Sequence, residues 1–157
     1  MRIKVCGMRD SSNINELAKL NPDYMGFIFY PKSKRYADDV LEMEVLEALP
    51  NSIKKVGVFV NNSTEEVDEM MKKYAFDLVQ LHGDESPEVC KEVKDLGYTV
   101  VKAFGVDESF DFDSLEPYKS YCDFFLFDTK GKDYGGHGIT YDWTILEKYD
   151  QSVPFFL

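Results

Sequence analysis

Short apolar runs alternate with amphipathic helical patterns along the whole chain, and this alternation limits the fold more than any other feature. Repeated strand–helix units form a parallel sheet with right-handed crossovers. The chain is therefore expected to be one α/β domain over residues 1–157. Strands are predicted over 2–6, 24–30, 55–60, 77–81, 99–104, 123–128 and 153–157. Helices are predicted over 13–20, 38–49, 64–74, 86–96, 112–119 and 141–148, the fifth with the weakest pattern.

Polar residues within the strands favour a barrel over a doubly wound sheet. Side chains alternate across a strand, so Lys4 and Cys6 share one face of the first strand, and Gln80 and His82 share one face of the fourth. Lys102 lies within an otherwise apolar fifth strand. A doubly wound sheet is covered by helices on both faces and prefers apolar residues on both, whereas the inner face of a barrel tolerates polar groups near its mouth. The pattern predicts a (βα)8 TIM barrel.

The predicted barrel is incomplete. A closed barrel of eight units needs about 200 residues or more. Here seven strands and six helices are predicted, and the sequence stops at Leu157 within the seventh strand. An uncovered strand edge favours pairing with another chain. We therefore expect a barrel that lacks its last unit and self-associates through the open strand edge.

The charge balance excludes several classes of partner. With 18 basic and 29 acidic residues, the net charge is -11, which argues against binding to nucleic acid or to an anionic membrane. The longest apolar run, 25–30, is too short to span a membrane, and the early first strand leaves no room for a signal peptide. Three widely spaced cysteines form neither a zinc motif nor a disulfide framework. A cytoplasmic protein with reduced thiols is expected.

Reactive side chains end the first and the sixth predicted strands. Cys6 precedes a glycine at the end of the first strand, and Asp128 ends the sixth. The carboxyl ends of parallel strands meet at one rim, where a thiol and a carboxyl group could act as general base and general acid. Lys4 lies on the same face as Cys6 and would favour its thiolate. Each residue also has a structural alternative: Cys6 as a buried apolar side chain, and Asp128 as a turn cap.

Two loops and one histidine are further candidates for a functional role. The polar, glycine-rich segment 129–138 could be a mobile lid over the rim or a simple connector. The cationic segment 30–36 could be a solvated loop or a carboxylate clamp, with Arg35 best suited to bidentate contact. His82 is interpreted mainly as a structural hydrogen-bonding residue.

Seven stretches in register resemble the phosphoribosylanthranilate isomerase family of tryptophan biosynthesis. The resemblance implies a (βα)8 barrel that acts on a small phosphosugar–anthranilate molecule by an Amadori rearrangement, with no metal and no organic cofactor. The stretches are KVCGM at 4–8, GFIFYPKSKRY at 26–36, VGVFVN at 56–61, VQLHGDE at 79–85, VKAFGV at 101–106, FDTK at 127–130 and YGGHGITYDW at 134–143.

The resemblance also implies roles for five residues. The family's general base falls on Cys6 and its general acid on Asp128, and the arginine that holds the anthranilate carboxylate falls on Arg35. His82 and Gln80 match a motif of the fourth strand and are expected to support substrate binding. Asp128 would protonate the furanose ring oxygen, and Cys6 would remove the C2′ proton. The acid must therefore be held protonated while the thiol is held ionised.

The sequence departs from the family at its C-terminal end. The family binds the substrate phosphate with a Ser-Gly-Gly segment after the seventh strand and a glycine-containing loop in the eighth unit, and both are absent from these 157 residues. Remote phosphate binding lowers the barrier at the reacting centre, so this form is expected to be weak or inactive.

Two alternatives remain open from the sequence. One is another phosphosugar barrel, such as a metal-dependent ribulose-phosphate epimerase or an indole-forming enzyme. The other is a non-catalytic barrel fragment that self-associates. An epimerase needs metal-binding His and Asp residues, and only His82 and His137 are available here.

Overall fold

The computed structural model describes residues 1–129 and 142–157, and within these ranges seven strands form a single sheet. The order is β1 to β7, as in the sequence, and every neighbouring pair is parallel. A doubly wound sheet reverses its strand order at a switch point, and this sheet does not. The barrel-type fold is therefore confirmed. The strands are β1 Lys4–Cys6, β2 Tyr24–Phe29, β3 Lys54–Phe59, β4 Leu78–Leu81, β5 Thr99–Val106, β6 Phe124–Thr129 and β7 Phe155–Phe156.

Helices cover the outer face of the sheet and differ in part from the prediction. The α-helices are α1 Ser11–Ala18, α2 Met43–Glu47, α3 Thr64–Tyr74 and α4 Pro87–Asp95. The helix predicted over 38–49 is only five residues long, because residues 38–40 form turns and the Asp38 carboxylate accepts a hydrogen bond from Tyr74 of α3. Within the described residues, none of the helices has the length and apolar character needed to cross a bilayer.

The last two predicted helices are short 3-10 helices, Phe112–Tyr118 and Trp143–Lys148. Pro117 lies inside the first of them and lacks the N–H that an α-helix would use at that position. We find no structural reason for the 3-10 form of the second. Residue 141, where that helix was predicted to begin, lies outside the described residues.

Two apolar clusters lie on opposite faces of the sheet. The outer cluster packs between strands and helices and includes Met25, Phe27 and Val100. The inner cluster lies on the face of the sheet that points into the barrel and consists of Tyr24, Ile28, Val56, Val58, Leu78 and Val101. Phe156 of β7 contacts Tyr24 of β2 edge to face, with ring centroids 5.2 Å apart. The edge strand β7 therefore contacts β2, the neighbour of the other edge strand, across the interior.

Lys102 corrects the interpretation made from the fifth strand. Val101 belongs to the inner cluster and Val100 to the outer one, so the alternation of side chains places Lys102 on the outer face, under the helices. Its Nζ atom lies 3.1 Å from Oε2 of Glu85 and donates to the carbonyl oxygens of Gly83 and Ala103. Lys102 is thus part of a buried ion pair and is not among the polar groups of the barrel interior.

Candidate active site

A cavity of about 1430 Å³ follows the inner face of the sheet from the carboxyl ends of the strands to their amino ends. All five residues predicted from the sequence line it: Cys6, Arg35, Gln80, His82 and Asp128. They come from β1, β4 and β6 and from the segments that follow β2 and β4. The parallel order of the strands places their carboxyl ends at one rim, and this explains why residues so distant in sequence share a cavity.

Gly26 of β2 makes room for the side chains of Cys6 and Lys4. Cys6 pairs with Gly26 in the sheet register. A Cβ atom added at Gly26 would lie 2.7 Å from the Cys6 Sγ atom and 3.2 Å from the Lys4 Nζ atom. The thiol and the ammonium therefore both lie over this glycine. Lys4 makes no salt bridge within the described ranges.

Arg35 lies beside the backbone of the segment that carries Cys6. Its Nη1 atom donates to the Cys6 carbonyl oxygen at 3.4 Å. Gly7 has a φ of 88°, and a Cβ atom there would lie 2.7 Å from both the Cδ and Nη1 atoms of Arg35. The glycine after Cys6 therefore has two structural functions: it adopts a left-handed conformation, and it lets the guanidinium approach the end of β1.

Gln80, His82 and Asp128 form a line of polar contacts across the mouth. The Gln80 Nε2 atom lies 2.7 Å from Nδ1 of His82, and the His82 Nε2 atom lies 3.5 Å from Oδ2 of Asp128. An amide nitrogen can only donate, so Nδ1 accepts and the ring proton resides on Nε2, which faces Asp128. The other Asp128 oxygen, Oδ1, accepts from the backbone N–H of Thr129 at 2.8 Å.

One buried polar atom in the cavity wall has no hydrogen-bond partner among the described residues. The Gln80 side chain is 1 % exposed, and its Oε1 atom is buried without a hydrogen bond to any described residue. A buried carbonyl oxygen without a partner costs about 1–3 kcal/mol. A bound molecule with a hydroxyl or N–H group would satisfy it.

The cavity is cationic although the protein is acidic. Five cations line it, whereas Asp128 is the only acidic side chain among the described lining residues. The chain as a whole carries a net charge of -11. The cationic lining therefore favours the binding of an anionic ligand in the cavity. The cations are Arg2, Lys4, Lys32, Lys34 and Arg35.

Some sequence-based expectations are not addressed by the described structure, and some contacts were missed. Most of the predicted lid, 129–138, and His137 lie outside the described residues. Within the described ranges, no group of three or more His, Cys, Asp or Glu side chains could hold a metal. The buried contact of Lys102 with Glu85 was missed, although a lysine inside an apolar strand was a signal for a buried partner.

Comparison with known proteins identifies the family. The family model described as N-(5'phosphoribosyl)anthranilate (PRA) isomerase matches residues 3–157. A curated N-(5'-phosphoribosyl)anthranilate isomerase of Parabacteroides distasonis is 44% identical over 158 residues, covering 100% of this chain and 72% of its own length. The chain belongs to the phosphoribosylanthranilate isomerase family. The family relationship inferred from the motifs is thereby confirmed, and it favours this family over the other phosphosugar barrels considered above.

Other phosphoribosylanthranilate isomerases agree in sequence and in fold. The one from Phocaeicola vulgatus is 41% identical over 157 residues, covering 100% of this chain and 74% of its own length. The crystal structure of the Thermotoga maritima enzyme superposes with a TM-score of 0.86 at 32% identity, covering 99% of this chain and 76% of that one. A further isomerase structure, with a TM-score of 0.82 at 29% identity over 99% of this chain and 73% of that one, contains reduced 1-(o-carboxyphenylamino)-1-deoxyribulose 5-phosphate.

Proposed function

We propose that this protein is an isomerase of tryptophan biosynthesis. It converts N-(5-phosphoribosyl)anthranilate to 1-(2-carboxyphenylamino)-1-deoxyribulose 5-phosphate. One observation carries the proposal: a thiol from β1 and a carboxyl group from β6 line the same cavity, which is cationic in an acidic protein. The family match supports the same reaction. The substrate carries a phosphate and a carboxylate, which suit the cations of the cavity.

The proposed reaction begins at Asp128. Its carboxylic acid gives a proton to the furanose ring oxygen, the C1′–O bond breaks, and the nitrogen lone pair forms a C1′=N Schiff base. The thiolate of Cys6 then removes the C2′ proton, and those electrons give the enolamine. The enol loses its hydroxyl proton and C1′ gains one, which yields the ketone. The Lys4 ammonium near Cys6 supports the thiolate, and the His82 N–H supports the carboxylate that Asp128 becomes.

Three further residues are proposed to bind the substrate. Arg35 holds the anthranilate carboxylate, because its guanidinium lies next to Cys6 at the cavity mouth. His82 contacts the sugar near the atom that Asp128 protonates. Gln80 accepts a hydrogen bond from a sugar hydroxyl through its Oε1 atom, which has no partner among the described residues.

We also propose that residues 1–157 form one barrel domain. They cover 72% and 74% of the length of the two curated relatives. Residues 154–157 line the cavity on one side, and Met1 and Arg2 line it on the other.

The test is an isomerase assay of the full 157-residue chain, followed by chromatographic detection of the product. Conversion above the uncatalysed rate is expected. Cys6→Ser and Asp128→Asn should each reduce the rate by about 10²- to 10⁴-fold, as is typical when a general base or acid is lost. Asp39→Asn changes an exposed aspartate that does not line the cavity; it is the matched control and should leave the rate unchanged. No conversion, or full activity of either active-site variant, would refute the proposal.

A second copy of the chain is the proposed partner at the open sheet edge. Within the described residues, β1 pairs only with β2 and β7 only with β6, and Leu157 beside β7 is 60 % exposed. Light scattering over a range of concentrations should detect a self-associated form, and Leu157→Lys should shift it towards the monomer. A wild-type monomer at every concentration would exclude this association.

We propose that the protein is cytoplasmic, because none of its three cysteines forms a disulfide. Cys6, Cys90 and Cys122 are all free. Cys90 and Cys122 are both buried. The hydrogen bond between their side chains, together with burial, raises the pKa of the Cys122 thiol. Two thiols in contact would be at risk of oxidation outside a reducing compartment.

A further inference from the structure

A buried ion pair lies directly behind the turn that follows β4. The Lys102 Nζ atom is 3.1 Å from the Glu85 Oε2 atom, and the two side chains are 3 % and 2 % exposed. Neither residue lines the cavity, and the proposed reaction uses neither of them. A buried ion pair contributes little net stability, because desolvation offsets the attraction between the charges. Its presence here therefore calls for another explanation.

The two charges hold the backbone of Gly83, the residue that follows His82, from both sides. Lys102 donates to the Gly83 carbonyl oxygen at 2.7 Å. Both Glu85 carboxylate oxygens accept from the Gly83 N–H, at 2.9 and 3.1 Å. The third contact of the Lys102 ammonium, to the Ala103 carbonyl oxygen at 2.9 Å, completes its three donors. Every polar backbone group of Gly83 is thus bonded to the ion pair.

The same pair connects the segments that follow β3 and β4 with β5. Glu85 Oε1 also accepts from the N–H of Asn61, which follows β3, at 2.8 Å. The Asn61 Oδ1 atom lies 2.3 Å from the position that a Cβ atom on Gly83 would take, so no side chain fits at residue 83. The His82 N–H donates to the Phe59 carbonyl oxygen at 2.8 Å. The backbone of His82 is therefore fixed at two points. Its own N–H is hydrogen-bonded to Phe59, and the residue that follows it, Gly83, is bonded to the ion pair.

We propose that the Glu85–Lys102 pair is a positioning element for His82. It fixes the backbone that carries His82, and the Gln80 amide then fixes the ring, which keeps Nε2 within 3.5 Å of Oδ2 of Asp128. Neither Glu85 nor Lys102 touches the substrate. The catalytic consequence of this inference rests on the proposed function, whereas the geometry can be tested without any turnover.

A purely structural pair would behave differently from a positioning pair. Removing a structural pair would lower the free energy of unfolding and leave the His82 ring as it is in the folded molecules. Removing a positioning pair would also change the tautomer and the mobility of that ring. A suitable control is Lys94–Asp123, an ion pair at the amino ends of β5 and β6, at 2.5 Å. Its acid likewise accepts a backbone N–H, from Val100 at 2.8 Å.

The experiment measures the ¹⁵N chemical shifts of the histidine ring nitrogens by ¹⁵N–¹H NMR in the full chain. The chain has only two histidines, so His82→Asn assigns the signals. The variants are Glu85→Gln, Lys102→Met, the double variant E85Q/K102M and, as control, Lys94→Met. In the wild type and the control, His82 should show a protonated Nε2 and an unprotonated Nδ1. In the double variant, both signals should move towards the average of the two tautomers.

Two outcomes would refute the proposal. One is a folded double variant, with an intact circular dichroism spectrum, whose His82 signals equal those of the wild type. The other is an equal change of the His82 signals in Lys94→Met, which would show a general effect of lost stability. If the double variant fails to fold, the same criterion applies to Glu85→Gln, which keeps the size of the side chain and removes only its charge. Unchanged His82 signals in folded Glu85→Gln would then refute the proposal.

Kinetics give an independent readout once turnover has been demonstrated. A misplaced His82 should lower kcat by about tenfold to a hundredfold with little change in KM, and Lys94→Met should change kcat less than about twofold. A wild type without turnover would refute the proposed function and leave the NMR result valid. Unchanged kcat in a folded E85Q/K102M variant would contradict the positioning role.

Discussion

The Nε2 atom of His82 lies 3.5 Å from the Oδ2 atom of Asp128, although β5 separates their strands in the sheet. Inward-facing side chains of alternate strands form layers in a barrel, and this pair is such a contact at the mouth. In the proposed reaction Asp128 becomes negatively charged when it gives up its proton. A ring N–H that already faces it stabilises this charge without rearrangement.

We expect the hydrogen bond between Gln80 and His82 to decide which ring nitrogen of His82 carries the proton. In Gln80→Glu the donor becomes an acceptor, so Nδ1 should gain a proton, which nitrogen NMR detects directly. We expect kcat to fall by about tenfold or more, since the Nε2–H contact with Asp128 is disturbed. Gln80→Leu, which removes the bond without reversing it, should give a mixture of tautomers. An unprotonated Nδ1 in Gln80→Glu would show that Gln80 does not set the tautomer.

Gly26→Ala should damage activity more than stability. The new Cβ atom would lie 2.7 Å from the Cys6 Sγ atom, 3.2 Å from the Lys4 Nζ atom and 3.3 Å from the Cys6 Cα atom. The two side-chain atoms can move by bond rotation, and the backbone contact needs only a shift of a few tenths of an ångström. The displaced thiol should lower kcat/KM by about a hundredfold. Gly57→Ala is the matched control, because its Cβ atom would meet the rings of Phe59 and Phe76 at 2.8 and 2.9 Å.

The control should show the opposite pattern to Gly26→Ala. Gly57→Ala overpacks two rigid aromatic rings, which typically costs about 1–3 kcal/mol, and it lies away from the thiol. Thermal unfolding and steady-state kinetics of both variants test this contrast. A greater loss of stability in Gly26→Ala than in Gly57→Ala would count against the proposed placement of Cys6.

The sequence was sufficient to predict which strand ends meet, because strand order follows from repeated strand–helix units. It placed Cys6 and Asp128 on one rim, where the structure has both lining one cavity. It did not fix the face of Lys102, since a shift of one residue in the strand alternation reverses every side chain. Nor did it show that Asp38 binds Tyr74, 36 residues away, and so replaces the first turns of a predicted helix. Such contacts depend on packing between distant segments.

Thiol reactivity should separate Cys6 from the other two cysteines. Cys6 is partly accessible in the cavity, whereas Cys90 and Cys122 are buried. A raised pKa of the Cys122 thiol, caused by its contact with Cys90 and by burial, makes it still less reactive. Iodoacetamide should therefore modify one thiol in the native protein and three after unfolding. Native labelling that persists in Cys6→Ser would contradict this assignment.

Asp38 should make stability depend on pH in the acid range. Hydrogen bonds from Lys73 and Tyr74 hold the pKa of its carboxyl below the ordinary value of 3.8. The folded state therefore favours the carboxylate, and its contribution is present above that ordinary value and lost as the pH falls through the lowered pKa. Asp38→Asn should lower the free energy of unfolding by about 1 kcal/mol at pH 7.

The difference between Asp38→Asn and the wild type should shrink below about pH 4, where the carboxylate of the unfolded chain is protonated. Urea titrations at several pH values measure it. Asp39→Asn removes an adjacent exposed carboxylate and should have little effect at any pH. A constant difference from pH 7 to pH 2 would show that the ionised form of Asp38 makes no special contribution.

The electrostatic effect of this protein on an approaching anion depends on distance, because the cavity lining is basic whereas the molecule as a whole is acidic. Far from the surface, a sugar that carries a phosphate and a carboxylate meets the field of the whole molecule, with its charge of -11, and is repelled. Close to the mouth, the field of Arg35 and its cationic neighbours dominates. Dissolved salt shortens the range of the first field most strongly, from about 30 Å at 0.01 M to about 10 Å at 0.1 M. Moderate ionic strength should therefore speed encounters between this protein and its substrate, in contrast to enzymes whose overall charge attracts the molecules they convert.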